Sequence, residues 1–151
     1  MPYEYHATVT NVIDGDTIVV DIDLGFSVVL SDQSVRLLGV DTPESRTSDK
    51  TEKVFGLASK DYTKSFVEAC GKNVIVRTHK SDDSEKFGRL LGEIINPTTG
   101  VVLNDMLVSE GYAVKYLGEN KDNVKDLHFK NRKRLIDEGK IKMSYKDAGI
   151  K

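Results

Sequence analysis

The sequence predicts an α+β fold, a small five-stranded β-barrel with three packed α-helices. Three observations lead there. Four short β-prone segments with turn residues between them occupy the first 40 positions, a pattern that suits a small barrel or sandwich. A helical period follows, and then a β-hairpin and two further helical stretches. The length of 151 residues and a hydrophobic share of 38% suit one modest core, so a single domain over 1–151 is expected. Periodicity by itself does not name the topology.

Tyr5 to Ile13 is rich in Tyr, Thr and Val and reads as a strand. Asp14-Gly15-Asp16 has turn chemistry, and Thr17 to Asp23 resumes with alternating apolar residues. After a break at Leu24-Gly25, Phe26 to Leu30 and Val35 to Val40 read as two strands separated by Ser31-Asp32-Gln33-Ser34. Asp41-Thr42-Pro43 ends the β run, because proline pushes the residue before it into extended geometry. Residues 45–53 are polar throughout and read as a mobile loop.

Phe55, Ala58, Tyr62, Phe66 and Ala69 then fall on one face of a helix that Gly71 can close. Asn73 to Thr78 is a strand, 79–85 a polar loop, Gly88 to Ile95 a strand, and 96–100 a turn. Leu103 to Glu110 is a short helix with Leu103, Met106 and Leu107 on one face. Val124, Leu127, Asn131 and Leu135 mark one side of a third.

Charge is divided unevenly. Residues 1–120 carry 12 Lys and Arg against 19 Asp and Glu, while 121–151 carry 10 against 5. The bulk balance of −2 does not advertise nucleic-acid binding, but a divalent cation in an acidic cleft would reverse the local sign. The basic tail reads as a solvated helix face. One cysteine, Cys70, allows no intrachain disulfide. His6, His79 and His128 are scattered and give no zinc pattern. No run is long and apolar enough to span a bilayer, and Met1 to Thr10 has no leader pattern. A cytoplasmic chain is expected, or a secreted one whose leader has been removed.

Three clusters put charge where a plain core would not. Val12-Ile13-Asp14-Gly15-Asp16-Thr17 alone is compatible with an ordinary Asp-Gly turn. In Val35 to Glu44, an arginine sits inside an apolar strand and two carboxylates flank a proline turn at its end. Arg36 cannot lose its charge, so it needs a partner or a ligand, although a surface ion-pair cluster would also account for the segment. Arg36 and Asp41 are five apart, and a perfect strand would send them to opposite faces. A break near Gly39 would bring them together. Glu85-Lys86-Phe87-Gly88-Arg89, taken alone, is a solvated turn.

Together, VIDGDT at 12–17, VRLLGVDTPE at 35–44, EKFGR at 85–89 and LNDMLVSEGYA at 103–113 resemble the staphylococcal (micrococcal) nuclease family, and the helix at 55–68 looks like that family's first helix. The resemblance covers roughly residues 5–140 and implies an OB-fold barrel with three helices. It implies cleavage of DNA and RNA by water with little sequence specificity, leaving 3′-phosphates. Carried over position by position, Asp16 and Asp41 with the backbone carbonyl of Thr42 would ligate one Ca²⁺, with Asp14 behind them. Arg36 and Arg89 would hold the scissile phosphate, and Glu44 would orient or deprotonate the water.

An all-oxygen donor set with room for waters suits Ca²⁺. A free glutamate titrates near ~4.3, so Glu44 is only a modest base and the expected role is orientation of the water. Phe87 stands where the founding member has tyrosine, which removes a hydroxyl that could meet a nucleotide phosphate. Lys86 and Phe87, with Tyr112 and Tyr116, are candidates for substrate contact, since aromatic faces stack on single-stranded bases; for the tyrosines, packing is the plain alternative. A monomer acting on DNA and RNA, single strands preferred, is expected. The rival reading is a non-catalytic OB-fold module that binds nucleic acid or protein. Such a module is expected to have lost one or more of Asp16, Arg36, Asp41, Glu44 and Arg89, and all five are present. An unexported nuclease endangers its own cell; a removed leader, tight regulation or a viral origin would each resolve that.

Overall fold

A computed structural model describes residues 3–78, 89–118 and 121–151. The expected loop at 79–85, together with Lys86, Phe87 and Gly88, lies outside these residues, as do 119–120. The elements are β1 (Tyr3–Asp14), β2 (Thr17–Gly25), β3 (Val28–Leu37), β4 (Val40–Asp41), α1 (Lys50–Ala69), β5 (Asn73–Thr78), β6 (Leu90–Ile95), α2 (Leu103–Ser109), β7 (Val114–Lys115) and α3 (Lys121–Asp137). Five strands close into a barrel in the order β1-β2-β3-β6-β5, with β3 and β6 parallel and the remaining pairs antiparallel. The α+β barrel with three helices is therefore the observed fold.

Alternation builds the core. Ile18, Val20 and Ile22 of β2 and Val74 and Val76 of β5 point inward and are almost wholly buried. Each such side chain contributes roughly 1.5–3 kcal/mol on burial. Leu103 and Leu107 bring α2 into the same core, while Phe55, Leu135, Ile141 and Ala148 form a smaller cluster joining α1, α3 and the C-terminal segment. Among the described residues, no helix is long and apolar enough to cross a membrane.

Two local expectations are revised. The two strands expected at 26–30 and 35–40 are divided differently: Val28 to Leu37 runs as one strand, and Val40 belongs to a separate one. The polar stretch between them stays in β3 because the Asp21 carboxylate accepts the Asp32 amide at 2.9 Å, where the β2–β3 register shifts and Asp32 has φ 54°. The turn that precedes β3 is made by Phe26 and Ser27, at φ 54° and 62°, residues that carry no turn signal. The loop expected at 45–53 is shorter, since α1 starts at Lys50. Asp49 caps it, accepting the amides of Thr51 and Glu52 at 3.0 and 3.1 Å. The loop's beginning is anchored rather than loose, with Ser45 only 2% exposed.

Candidate active site

The site forms where the β1–β2 turn meets the segment that leaves β3. The expected break at Gly39 is present. β3 stops at Leu37, Gly39 takes φ 77°, and β4 turns away to pair with β7. Asn104 of α2 secures that departure: its side chain donates to the carbonyls of Leu38 and Gly92 at 2.9 and 3.2 Å and accepts the Ile94 amide at 3.1 Å. With the chain turned, Arg36 and Asp41 face each other despite their odd spacing, Nη2 to Oδ1 at 3.3 Å.

Helix α1 presses on both site loops at positions with no side chain. A Cβ on Gly15 would stand 2.8 Å from Cβ of Ser59, and one on Gly56 would stand 2.2 Å from the carbonyl oxygen of Glu44. The Thr63 hydroxyl donates to the Gly15 carbonyl at 2.6 Å. The helix therefore holds the Asp14–Asp16 turn and the Glu44–Ser45 backbone in fixed relation.

Arg36 is the centre of the charge arrangement. Its guanidinium pairs with both Asp16 and Asp41, and all three side chains are 11–15% exposed. Asp16 also accepts the Thr42 amide at 3.2 Å and the Thr17 hydroxyl at 3.1 Å. Asp14 lies behind, accepting from the buried Ser45 hydroxyl and from Arg46 at 3.2 Å. Glu44 is an exposed residue at the mouth of this cluster. Partial desolvation, followed by the charges of Asp16, Asp14, Asp41 and Glu52, raises its carboxyl above the ordinary 4.5. A bound cation would pull it back down.

Arg89 stands immediately before β6. Leu90 pairs with Val35 and Leu91 with Arg36, so the two arginines come from adjacent strands at the same end of the barrel. Tyr116 lines a cavity together with Arg36 and Leu91, and its amide donates to the Gly39 carbonyl at 2.9 Å. Tyr112 is packed: its ring lies 4.9 Å from that of Tyr62 and Lys140 sits over it at 5.4 Å.

One neighbour of the site escaped sequence reasoning. His128 of α3 places Nε2 2.8 Å from Asp41 Oδ2. The inner face of α3 runs Val124, His128, Asn131, Leu135, whereas Leu127, expected on that face, is 42% exposed. Positions 124, 128, 131 and 135 keep helical spacing, so the signal was present and a lone histidine concealed it.

The donor chemistry around Arg36 is all oxygen and suits a hard cation. Among the described residues, no three His, Cys, Asp or Glu side chains gather to hold a metal on their own. Asp16 and Asp41 present carboxylate oxygens on either side of Arg36, the donor type that a hard cation such as Ca²⁺ takes.

Residues 34–136 match the family described as staphylococcal nuclease homologue. Endonuclease YhcR of Bacillus subtilis (strain 168) is 34% identical over 128 residues, covering 82% of this chain and 10% of that protein. An uncharacterized endonuclease of Escherichia coli O157:H7 is 34% identical over 121 residues, 80% of this chain and 67% of that protein. The thermonuclease of Staphylococcus intermedius is 36% identical over 87 residues, 57% of this chain and 46% of that protein. The chain thus spans only a tenth of the first of these relatives and under half of the last.

Proposed function

The chain belongs to the staphylococcal nuclease homologue family, and from that premise we propose that it hydrolyses phosphodiester bonds of DNA and RNA with Ca²⁺ as cofactor. The observation that carries the reading is Arg36 held between Asp16 and Asp41, three charged groups converging from the β1–β2 turn, β3 and β4. Arg36 balances the charge of only one of its two carboxylate partners. Two carboxylates, with a third raised beside them, make a place for a cation and an anionic substrate.

Asp16 and Asp41, with the Thr42 carbonyl, would hold the calcium, and Asp14 would fix the turn that carries Asp16. When bound, the ion supplies charge that offsets the phosphate and polarises water. Arg36 and Arg89 fork N–H groups onto non-bridging phosphate oxygens, where charge accumulates in the transition state. Glu44 accepts a hydrogen bond from the attacking water, aims it at phosphorus, and takes its proton. The P–O5′ bond breaks as the P–O bond to water forms, and the departing O5′ takes a proton from solvent, leaving a 3′-phosphate and a 5′-hydroxyl. Tyr116, beside Arg36, is the better placed tyrosine for a base, and a single strand is the preferred substrate of a monomer.

The test is incubation of purified protein with denatured DNA and with RNA, each in Ca²⁺ or EGTA, beside Asp41→Ala and Glu44→Gln. Cleavage in Ca²⁺ that is lost in EGTA and in both variants is expected. Nucleic acid bound but uncut in Ca²⁺ would move the chain to the class of binding modules.

A further inference from the structure

We propose that His128 is a positioning residue for Asp41, setting the direction in which that carboxylate offers oxygen to the calcium ion; this rests on the calcium reading above. The geometry is specific. Asp41 has one oxygen on Arg36 at 3.3 Å and the other on His128 at 2.8 Å. An ionised carboxylate only accepts, so Nε2 carries the proton and His128 is the donor. Both side chains are nearly buried, 16% exposed for His128 and 15% for Asp41.

The second ring nitrogen supports a dedicated role. Nδ1 is buried and has no hydrogen-bond partner among the described residues. A histidine kept only for packing would be replaceable by an apolar residue that leaves no polar atom unsatisfied. What the imidazole adds at this position is the single bond from Nε2 to Asp41. That bond spans 87 positions of sequence and ties α3 to β4, an element only two residues long. Arg36, on the other Asp41 oxygen, is in the proposed reaction the group that must turn to the phosphate when substrate enters. His128 keeps the carboxylate aimed while Arg36 changes partner. A carboxylate oxygen has two lone-pair sites, so Oδ2 can accept from His128 and still face a cation. Partners of this kind around metal ligands are worth roughly 10–100-fold in metal affinity.

The experiment is calcium titration of the nucleotide-free protein by calorimetry, with no activity measured. It compares wild type, His128→Leu, His128→Gln and an Asp41→Asn control, each with a melting curve. Gln can place an amide donor near the position of Nε2; Leu cannot. We expect the Ca²⁺ dissociation constant to rise at least about 10-fold in His128→Leu and to return to within about 3-fold of wild type in His128→Gln. If His128→Leu does not fold, His128→Asn, polar but too short to reach Asp41, takes its place with the same expectation. An unchanged or tighter affinity in the Leu or Asn variant overturns the proposal. So does an equal loss in Leu and Gln with a depressed melting temperature, which would show that the histidine only packs α3. Wild type that binds no Ca²⁺ removes the calcium reading itself, and the proposal with it. Wild type that binds, with Asp41→Asn that does not, keeps that reading even where the histidine proposal fails.

Discussion

Gly56→Ala tests whether α1 is the surface on which the catalytic backbone is set. The added Cβ would lie 2.2 Å from the Glu44 carbonyl oxygen, 2.4 Å from its carbon and 2.6 Å from the Ser45 nitrogen. Normal contact is about 3.5–4 Å, so helix and loop must separate by more than ~1 Å. All three opposing atoms are backbone, and no rotamer change can relieve them. Two terms compete in stability: alanine gains about 1 kcal/mol in helix propensity, and overpacking costs about 1–3 kcal/mol. A net loss of about 1 kcal/mol is expected in urea denaturation. Activity should suffer more, because a ~1 Å displacement of a group that aims a nucleophile can cost on the order of 100-fold. The assay is kcat and KM on denatured DNA with saturating Ca²⁺, at a temperature where both proteins are fully folded. The expected result is a fall in kcat with KM little changed. A variant as active as wild type and more stable by the propensity gain would refute the argument that Gly56 permits the close approach of Glu44.

Three further outcomes are expected. Arg36→Lys keeps the charge but loses the fork that spans two oxygens, so kcat/KM should fall by roughly 100-fold, on the scale of one lost oxyanion donor; a change within 3-fold would refute the bidentate role. Glu44→Gln should raise the melting temperature in EGTA at pH 7–8, because the folded-state pKa lies above the ordinary 4.5 and the ionised carboxylate is repelled there. The gain should shrink as pH falls through the raised value and vanish below 4.5, where Glu44 is protonated folded and unfolded alike; a gain constant with pH would point to another cause. Replacing Phe26-Ser27 by Asn-Gly relieves two left-handed residues, one of them fully exposed, and should stabilise the protein by about 1 kcal/mol with cleavage unchanged, as read by urea denaturation and the DNA assay.

How much of this was legible in the sequence depended on range. The barrel strands could be read because Ile18, Val20 and Ile22 alternate within one segment, and the Gly39 break because the parity of Arg36 and Asp41 demanded it. The hairpin between β2 and β3 was marked by the break at Leu24-Gly25, but its turn falls on Phe26 and Ser27, where the pairing of Gly25 with Val28 sets it. The start of α1 was legible in principle: Asp49 followed three residues later by Glu52 has the form of a helix cap, although the polar run around it reads as loop. The contacts of Gly56 with Glu44 and of Gly15 with Ser59 had no trace in the local pattern. They depend on where a helix lands, and both glycines look incidental until it does.

His128 shows what a residue-type rule loses. Choosing Leu127 for the inner face of α3 followed hydrophobicity, and the packing followed geometry instead. Val124 and Leu135 are 3% and 2% exposed; 124, 127, 131, 135 and 124, 128, 131, 135 both keep helical spacing, and the half-buried His128 with the exposed Leu127 shows that the second set faces inward. Both of these polar residues find acceptors on the far side: Asn131 donates to the Ala113 carbonyl at 3.1 Å and His128 bonds to Asp41. The helix is therefore held to β4 and to the chain leading into β7 by polar contacts as well as by its two apolar anchors. Such contacts fix direction more sharply than apolar packing does, because a hydrogen bond weakens steeply with angle. An element joined to the site in this way controls the orientation of Asp41, and a mostly solvated basic helix, unremarkable as a sequence, becomes part of the machinery that aims it.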